Sequence, residues 1–239
     1  MSKTAQLIHD VEEEKKSKKK GFATLLVSGV LAATLCMGGV FAYLTATDSV
    51  TNNFGLTDSY NIDVIEPNWD TTDADGNGIP DAADNVLPTQ TISKDPQVKN
   101  LDDVDAYVFL TVDVPTKSVQ LEGESAPALH ELLSYETNDG WTEVVWVVDD
   151  AEEGTGHWEA GSTGVYNAES GMTTHTYVYD TALSAQATSG SLFDDVTIAN
   201  YINGQIGENV LQALTVNGHS IQALGFDSAL SAWSAYAAQ

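Results

Sequence analysis

Residues 105–115 read DAYVFLTVDVP, and their alternation decides the fold. In an extended chain Val108, Leu110, Val112 and Val114 point one way, and Tyr107, Phe109, Thr111 and Asp113 point the other. The all-aliphatic side is the expected core face. Outward from this strand the text keeps the same character. Residues 43–64 are short stretches rich in Thr, Val and Tyr, broken by Asn-Asn and Gly, which is the pattern of strands and turns. Residues 141–150 (WTEVVWVVDD) and 172–183 (MTTHTYVYDTAL) read as two strands joined by a long hairpin. LFDDVTIANYI (192–202) begins as another strand, and NVLQALTVNG (209–218) could extend the sheet. Two short helices are expected. One covers residues 127–136 (PALHELLSYE), with Pro127 at its start and Leu129, Leu132 and Leu133 on one side. The other lies in the alanine-rich end, residues 220–238, where Ile221, Leu224, Leu230 and Trp233 form an apolar side and Gly225 interrupts it. Many short strands with few helices predict a mainly β chain, an antiparallel β-sandwich with short helical insertions.

Charge separates the chain into two parts. The 239 residues carry a net charge of −26, yet residues 1–42 hold six of the nine Lys and only four acids. Residues 43–239 hold Lys94, Lys99 and Lys117 against 31 acids, and no Arg. Such a body repels phosphate, which argues against a nucleic-acid partner, and it disfavours anionic lipid. High charge can keep a chain unfolded, but 42% hydrophobic residues supply a core.

The Lys run at 15–20 precedes GFATLLVSGVLAATLCMGGVFAYL, an uncharged apolar stretch from 21 to 44. Cationic residues stay on the cytoplasmic side while an apolar run enters the membrane, so the pattern predicts a signal-peptide helix over residues 1–42 and a secreted or cell-surface body over residues 43–239. The run is also long enough to be a retained anchor, which would be the body's one tie to the membrane. Gly38, Gly39 and Ala42 favour cleavage. Cys36 is the sole cysteine, and Leu35 before it is too bulky for a lipid-attachment site. The body therefore has no disulfide and depends on packing or a metal.

Residues 66–85 contain Pro67, Gly76, Gly78 and Pro80 among many Asp, with no periodic apolar face, and read as a loop. Within it DADGNGIPDAAD places Asp73, Asp75, Asn77, Asp81 and Asp84 at positions 1, 3, 5, 9 and 12 of a calcium loop, with Gly78 at 6 and the Ile79 carbonyl at 7. Calcium takes six to eight oxygens, and four carboxylates brought together without a cation repel strongly. Pro80 at position 8 and Asp84 in place of Glu depart from an EF-hand, and no helix precedes the loop. It is similar instead to the isolated Asp-rich calcium loops of extracellular repeat proteins. A solvated acidic linker is the plainer reading of the same residues.

Other motifs are incomplete. His130-Glu131 begins a zinc-protease-like string, but the second His one helical turn later is missing. His157, His175 and His219 are scattered among strands, and neither a nucleophile elbow nor a phosphate-cradling loop is present. Trp141, Trp146 and Trp158 could stack on sugar, although core packing is the commoner use of such residues.

Three phrases carry a family resemblance: GGVFAYLTATDSVTNNFGLTD (38–58), TISKDPQVKNLDDVDAYVFLTVDVP (91–115), and LFDDVTIANYI with the later IQALGF and AW. Together they resemble the TasA/camelysin family of Gram-positive bacteria. The resemblance implies a jelly-roll-like sandwich, cleavage between Ala42 and Tyr43 by a dedicated ER-type signal peptidase, and assembly into biofilm matrix fibres with itself or related subunits. It also implies that the segment freed by cleavage, residues 43–54 with Tyr43, Leu44, Val50 and Phe54, inserts as a strand into the next subunit. A non-enzymatic fibre subunit with calcium as cofactor is the expected function. The alternatives are a camelysin-like metalloprotease, which needs a zinc site from His130, His157, His175 and His219, and a calcium-dependent surface adhesin.

Overall fold

The computed structural model describes residues 45–46, 61–149, 155–202, 204–206 and 214–239. The leader, the cleavage pair Ala42 and Tyr43, and the assembly-strand residues Tyr43, Leu44, Val50 and Phe54 lie outside the described residues. Leu44–Gln239 forms one compact unit.

The unit is mainly β, and among the described residues every strand pairing is antiparallel. Its largest sheet runs β1 (Thr45–Ala46), β13 (Thr215–Gln222), β5 (Ala106–Val119), β11 (Met172–Tyr179), β8 (Trp141–Val148) and β9 (Gly156–Ala160). Two further strands join it, β10 (Val165–Asn167) on β11 and β6 (Ala128–Glu131) on β5. A second sheet is β3 (Thr91–Ser93), β12 (Asp195–Ile198) and β7 (Leu133–Ser134), and a third pairs β2 (Ile62–Ile65) with β4 (Gln97–Asn100).

β5 is the centre of the unit, as its alternation predicts. Val108, Leu110, Val112 and Val114 have no exposed surface and pack against Ile92, Val98, Leu133, Val196 and Ile198 from the smaller sheets. The opposite face is also covered, because α1 (Ala229–Ala237) lies over it. Tyr107 and Phe109 are buried there with Val144, Val178, Ile221 and Trp233, and the Phe109 and Trp233 rings meet edge to face at 5.2 Å. β5 is thus buried on both sides along its first half. The aliphatic face lines one core and the aromatic positions line a second.

Three expectations are corrected. Residues 127–136 are not a helix but β6 and β7, which cross from the large sheet to the second one. Ten residues are too few to repay helix nucleation unaided, and the β5 backbone at Thr116–Val119 offers ladder partners instead. Leu129 is consequently exposed while Leu132 and Leu133 are buried. At the C-terminus Ile221 belongs to β13, held by an eight-residue ladder on β5, and Leu224 is 83% exposed. Gly225 takes a positive φ of +99°, and the helix starts only at Ala229, where Ser228 and Ser231 form a reciprocal cap. Finally, β8 and β11 are neighbours as expected, but β9 and β10 are built into the connection between them.

Candidate functional site

The acidic loop is irregular apart from one 3-10 turn, Asp81–Ala83. Its stem is fixed by residues outside the calcium-loop motif. The Lys94 ammonium meets Glu66 at 2.6 Å and lies 4.8 Å over the Trp69 ring. Asp95, almost fully buried, accepts from the Asn68 backbone N–H at 2.8 Å and from its amide at 2.9 Å. Lys94 and Asp95 follow β3 directly, so the loop is tied to the second sheet at its base. Two signals were available: Lys94 is one of three Lys in a body of 197 residues, and Lys94-Asp95-Pro96 lies in one of the phrases that carry the family resemblance.

Beyond the stem the chain wraps around Asp73. Its carboxylate accepts backbone N–H groups from Gly76 at 2.8 Å, Asn77 at 3.2 Å and Gly78 at 2.9 Å. These bonds, with that of Gly78 first, hold the Asp73 carboxyl below its ordinary pKa. Gly76 and Gly78 both have positive φ, which lets the chain turn this tightly. Asp75 accepts from the Asn77 N–H at 3.1 Å. Asp81 accepts from the Ala74 N–H at 3.1 Å, which closes the loop across seven residues. The Asn77 amide nitrogen stands between Asp75 at 3.2 Å and Asp84 at 3.4 Å, while its oxygen accepts the Ile79 N–H at 2.7 Å. Asp73, Ile79 and Asp84 are half-buried; Asp75, Asn77 and Asp81 are exposed.

Hydrogen bonds thus link the five predicted side chains into one loop, with an amide N–H2 at the point where two carboxylates approach. The donor set is all hard oxygen, which fits calcium. In this arrangement, however, among the described residues no group of three or more His, Cys, Asp or Glu is placed to hold a metal ion. Calcium binding would require Asp75 and Asp84 to close on the ion in place of the Asn77 amide.

The four histidines of the body have separate partners. His130 on β6 bonds Glu124 at 3.0 Å, and His157 on β9 bonds Asp149 at 3.0 Å. His219 on β13 lies between Thr111 at 3.2 Å and the Tyr236 hydroxyl at 2.9 Å, and burial lowers its pKa. His175 on β11 is different. Its Nδ1 is 2.7 Å from Glu143 of β8 and its Nε2 is 3.0 Å from Glu131 of β6. Of the tryptophans, Trp141 is buried, with its N–H on the Gly190 carbonyl at 3.0 Å, and Trp158 packs against Trp233. Trp146 alone is well exposed, its ring edge-on to Trp158 at 5.6 Å.

The sheet edge is the third feature. Among the described residues, β1 pairs with β13 through Thr45↔Ile221 and Ala46↔Ser220, and β13 continues back to Thr215. Among the described residues, Thr215–His219 have no strand partner on that side. Comparison with protein-family models, curated proteins and solved structures gives no match.

Proposed function

We propose that this protein is a secreted structural subunit of extracellular matrix fibres, built on a jelly-roll-like sandwich and joined copy to copy by strand donation. The observation that carries this reading is the edge of β13. The first described residues of the body, Thr45 and Ala46, lie there as an antiparallel strand. Continued in the same register, a donated strand would set Thr47 opposite His219 and Val50 opposite Val216. A donated segment, residues 43–54, would thus run along β13 in the place that β1 marks. Backbone hydrogen bonds would supply affinity and alternate side chains the register.

The acidic loop fits the same reading. A body with 31 acids and three Lys repels its own copies at low ionic strength. Calcium held by Asp73, Asp75, Asn77, the Ile79 carbonyl, Asp81 and Asp84 would remove charge and stiffen the loop. Extracellular modules of this kind hold calcium with Kd of roughly 10⁻⁴–10⁻³ M.

The test uses residues 43–239, which contain no cysteine. Electron microscopy is expected to show filaments in calcium, and none for a chain lacking residues 43–54. Pairing Thr45→Cys with Ile221→Cys should lock β1 onto its own β13 and abolish filaments until reductant is added. Filaments that form unchanged with the lock closed would refute strand donation.

A further inference from the structure

His175 lies on the large sheet with its two ring nitrogens facing two different carboxylates. A neutral imidazole carries a single N–H, so it can donate to Glu143 or to Glu131 but not to both. Distances of 2.7 Å and 3.0 Å to both carboxylates therefore call for a second proton on the ring. The site is largely enclosed: the side chains of His175 and Glu143 are 13% and 14% exposed, and that of Glu131 is 36% exposed.

The groups facing the ring come from every neighbouring element. Glu131 comes from β6 and Glu143 from β8, and these two carboxylates are the charges that act on it. Tyr135, just past β7, presents its ring edge at 6.4 Å, and Tyr177 on β11 stacks at 6.5 Å. The two tyrosine hydroxyls bond each other at 3.1 Å. Val112 of β5 is the cross-strand neighbour. Gly164, which precedes β10, approaches so closely that a Cβ there would lie 2.7 Å from the His175 Cε1 and Nε2.

What this ion triplet fastens is β6. That strand has four residues, two of them exposed, and among the described residues it pairs with Thr116–Val119 at the tail of β5 and with no other strand. Those β5 residues have no other strand partner among the described residues. The residues after β6 are anchored independently, because Leu132 and Leu133 are buried and the Leu132 N–H bonds the Pro115 carbonyl at 2.8 Å.

We propose that His175, as an imidazolium shared by Glu131 and Glu143, is an ionic latch that holds β6 on β5, and that alkaline pH releases β6 and bares the β5 edge at residues 116–119. Loss of one proton leaves one carboxylate facing a lone pair instead of an N–H. Glu131, the more exposed of the two, is then the group that swings out to water, and β6 goes with it. An unpaired strand edge of this kind is a template for another chain.

Burial by itself would lower the His175 pKa, but hydrogen bonds to Glu131 and Glu143 and their charges outweigh it and push the group up to about 9. The release is therefore expected at alkaline pH.

The experiment follows the full chain, labelled with 15N-histidine, from pH 6 to 10.5. Ring-nitrogen shifts report the protonation of His175. Amide exchange over residues 116–131, corrected for the intrinsic pH dependence, reports β6. The expected result is a doubly protonated ring at neutral pH, and loss of β6 protection over the same interval in which the ring titrates, while far-UV dichroism stays constant. Glu131→Gln should lower both midpoints together. His130→Gln removes the histidine that β6 itself carries and should leave them in place. A neutral ring at pH 7.5 overturns the latch, as does β6 protection that persists through the His175 titration, global unfolding in the same interval, or a Glu131→Gln midpoint that does not move.

Discussion

Two places in this acidic body bring carboxylates together, and they handle the repulsion differently. Around His175, Glu131 and Glu143 share one imidazolium in a largely enclosed site, so a cation from within the fold offsets part of the repulsion. In the loop, Asp73 is held by backbone N–H groups, and Asp75 and Asp84 face each other across the neutral Asn77 amide. The first cluster can use an internal cation because three strands bring its members together. The second lies within twelve residues of chain with no Lys, Arg or His, so any cation must come from solvent. On the proposals above, one arrangement would answer to pH and the other to a dissolved ion.

The sharpest way to break this comparison is His175→Ala. It leaves two enclosed carboxylates without a counter-charge, which typically costs about 3 kcal/mol. The same substitution at a solvated cluster would be close to neutral. Because the folded pKa of His175 is raised above the ordinary value of 6.5, its contribution is full below about pH 6.5 and is lost as pH rises through about 9. Denaturant melts of wild type and His175→Ala should therefore differ most at pH 6 and converge above pH 9.

Gly164→Ala presses on the same cluster sterically rather than electrostatically. A methyl there runs into the His175 ring and the Thr173 methyl. Overpacking of this kind costs about 1–3 kcal/mol, read as a lower denaturation midpoint with an unchanged slope. An effect under about 0.5 kcal/mol would mean that the turn before β10 yields freely.

Calcium gives the smallest change and defines the other side of the comparison. At tenfold excess over Kd, a single site stabilises by about 1.4 kcal/mol. Scanning calorimetry with and without chelator should show a small upward shift in Tm with calcium. Asp73→Asn should abolish that shift, whereas His175→Ala should leave it intact. A shift that survives Asp73→Asn would place the ion elsewhere.

The β5 strand was legible because a period-two pattern is a local property: its aliphatic residues face the core wherever the strand is placed. That residues 66–85 hold no long helix or strand was legible too, from Gly and Pro without a periodic apolar face; the placing of the Asn77 amide between Asp75 and Asp84 was not. Residues 127–136 misled because their apolar spacing suits a helix, and only the free β5 backbone decides for a strand. Likewise Ile221 and Leu224 look equivalent in the text, yet one lies in a ladder and the other beyond it in water.

The sequence by itself determined a mainly β body poor in cations, and the order of oxygens in its acidic loop, because composition and short-range spacing need no partner to take effect. Tertiary structure alone decided that His175, 32 residues from Glu143 and 44 from Glu131, would become the cation between them. Hydrogen-bond geometry acts over about 3 Å, and no pattern along the chain announces which distant residues antiparallel pairing will bring within that reach.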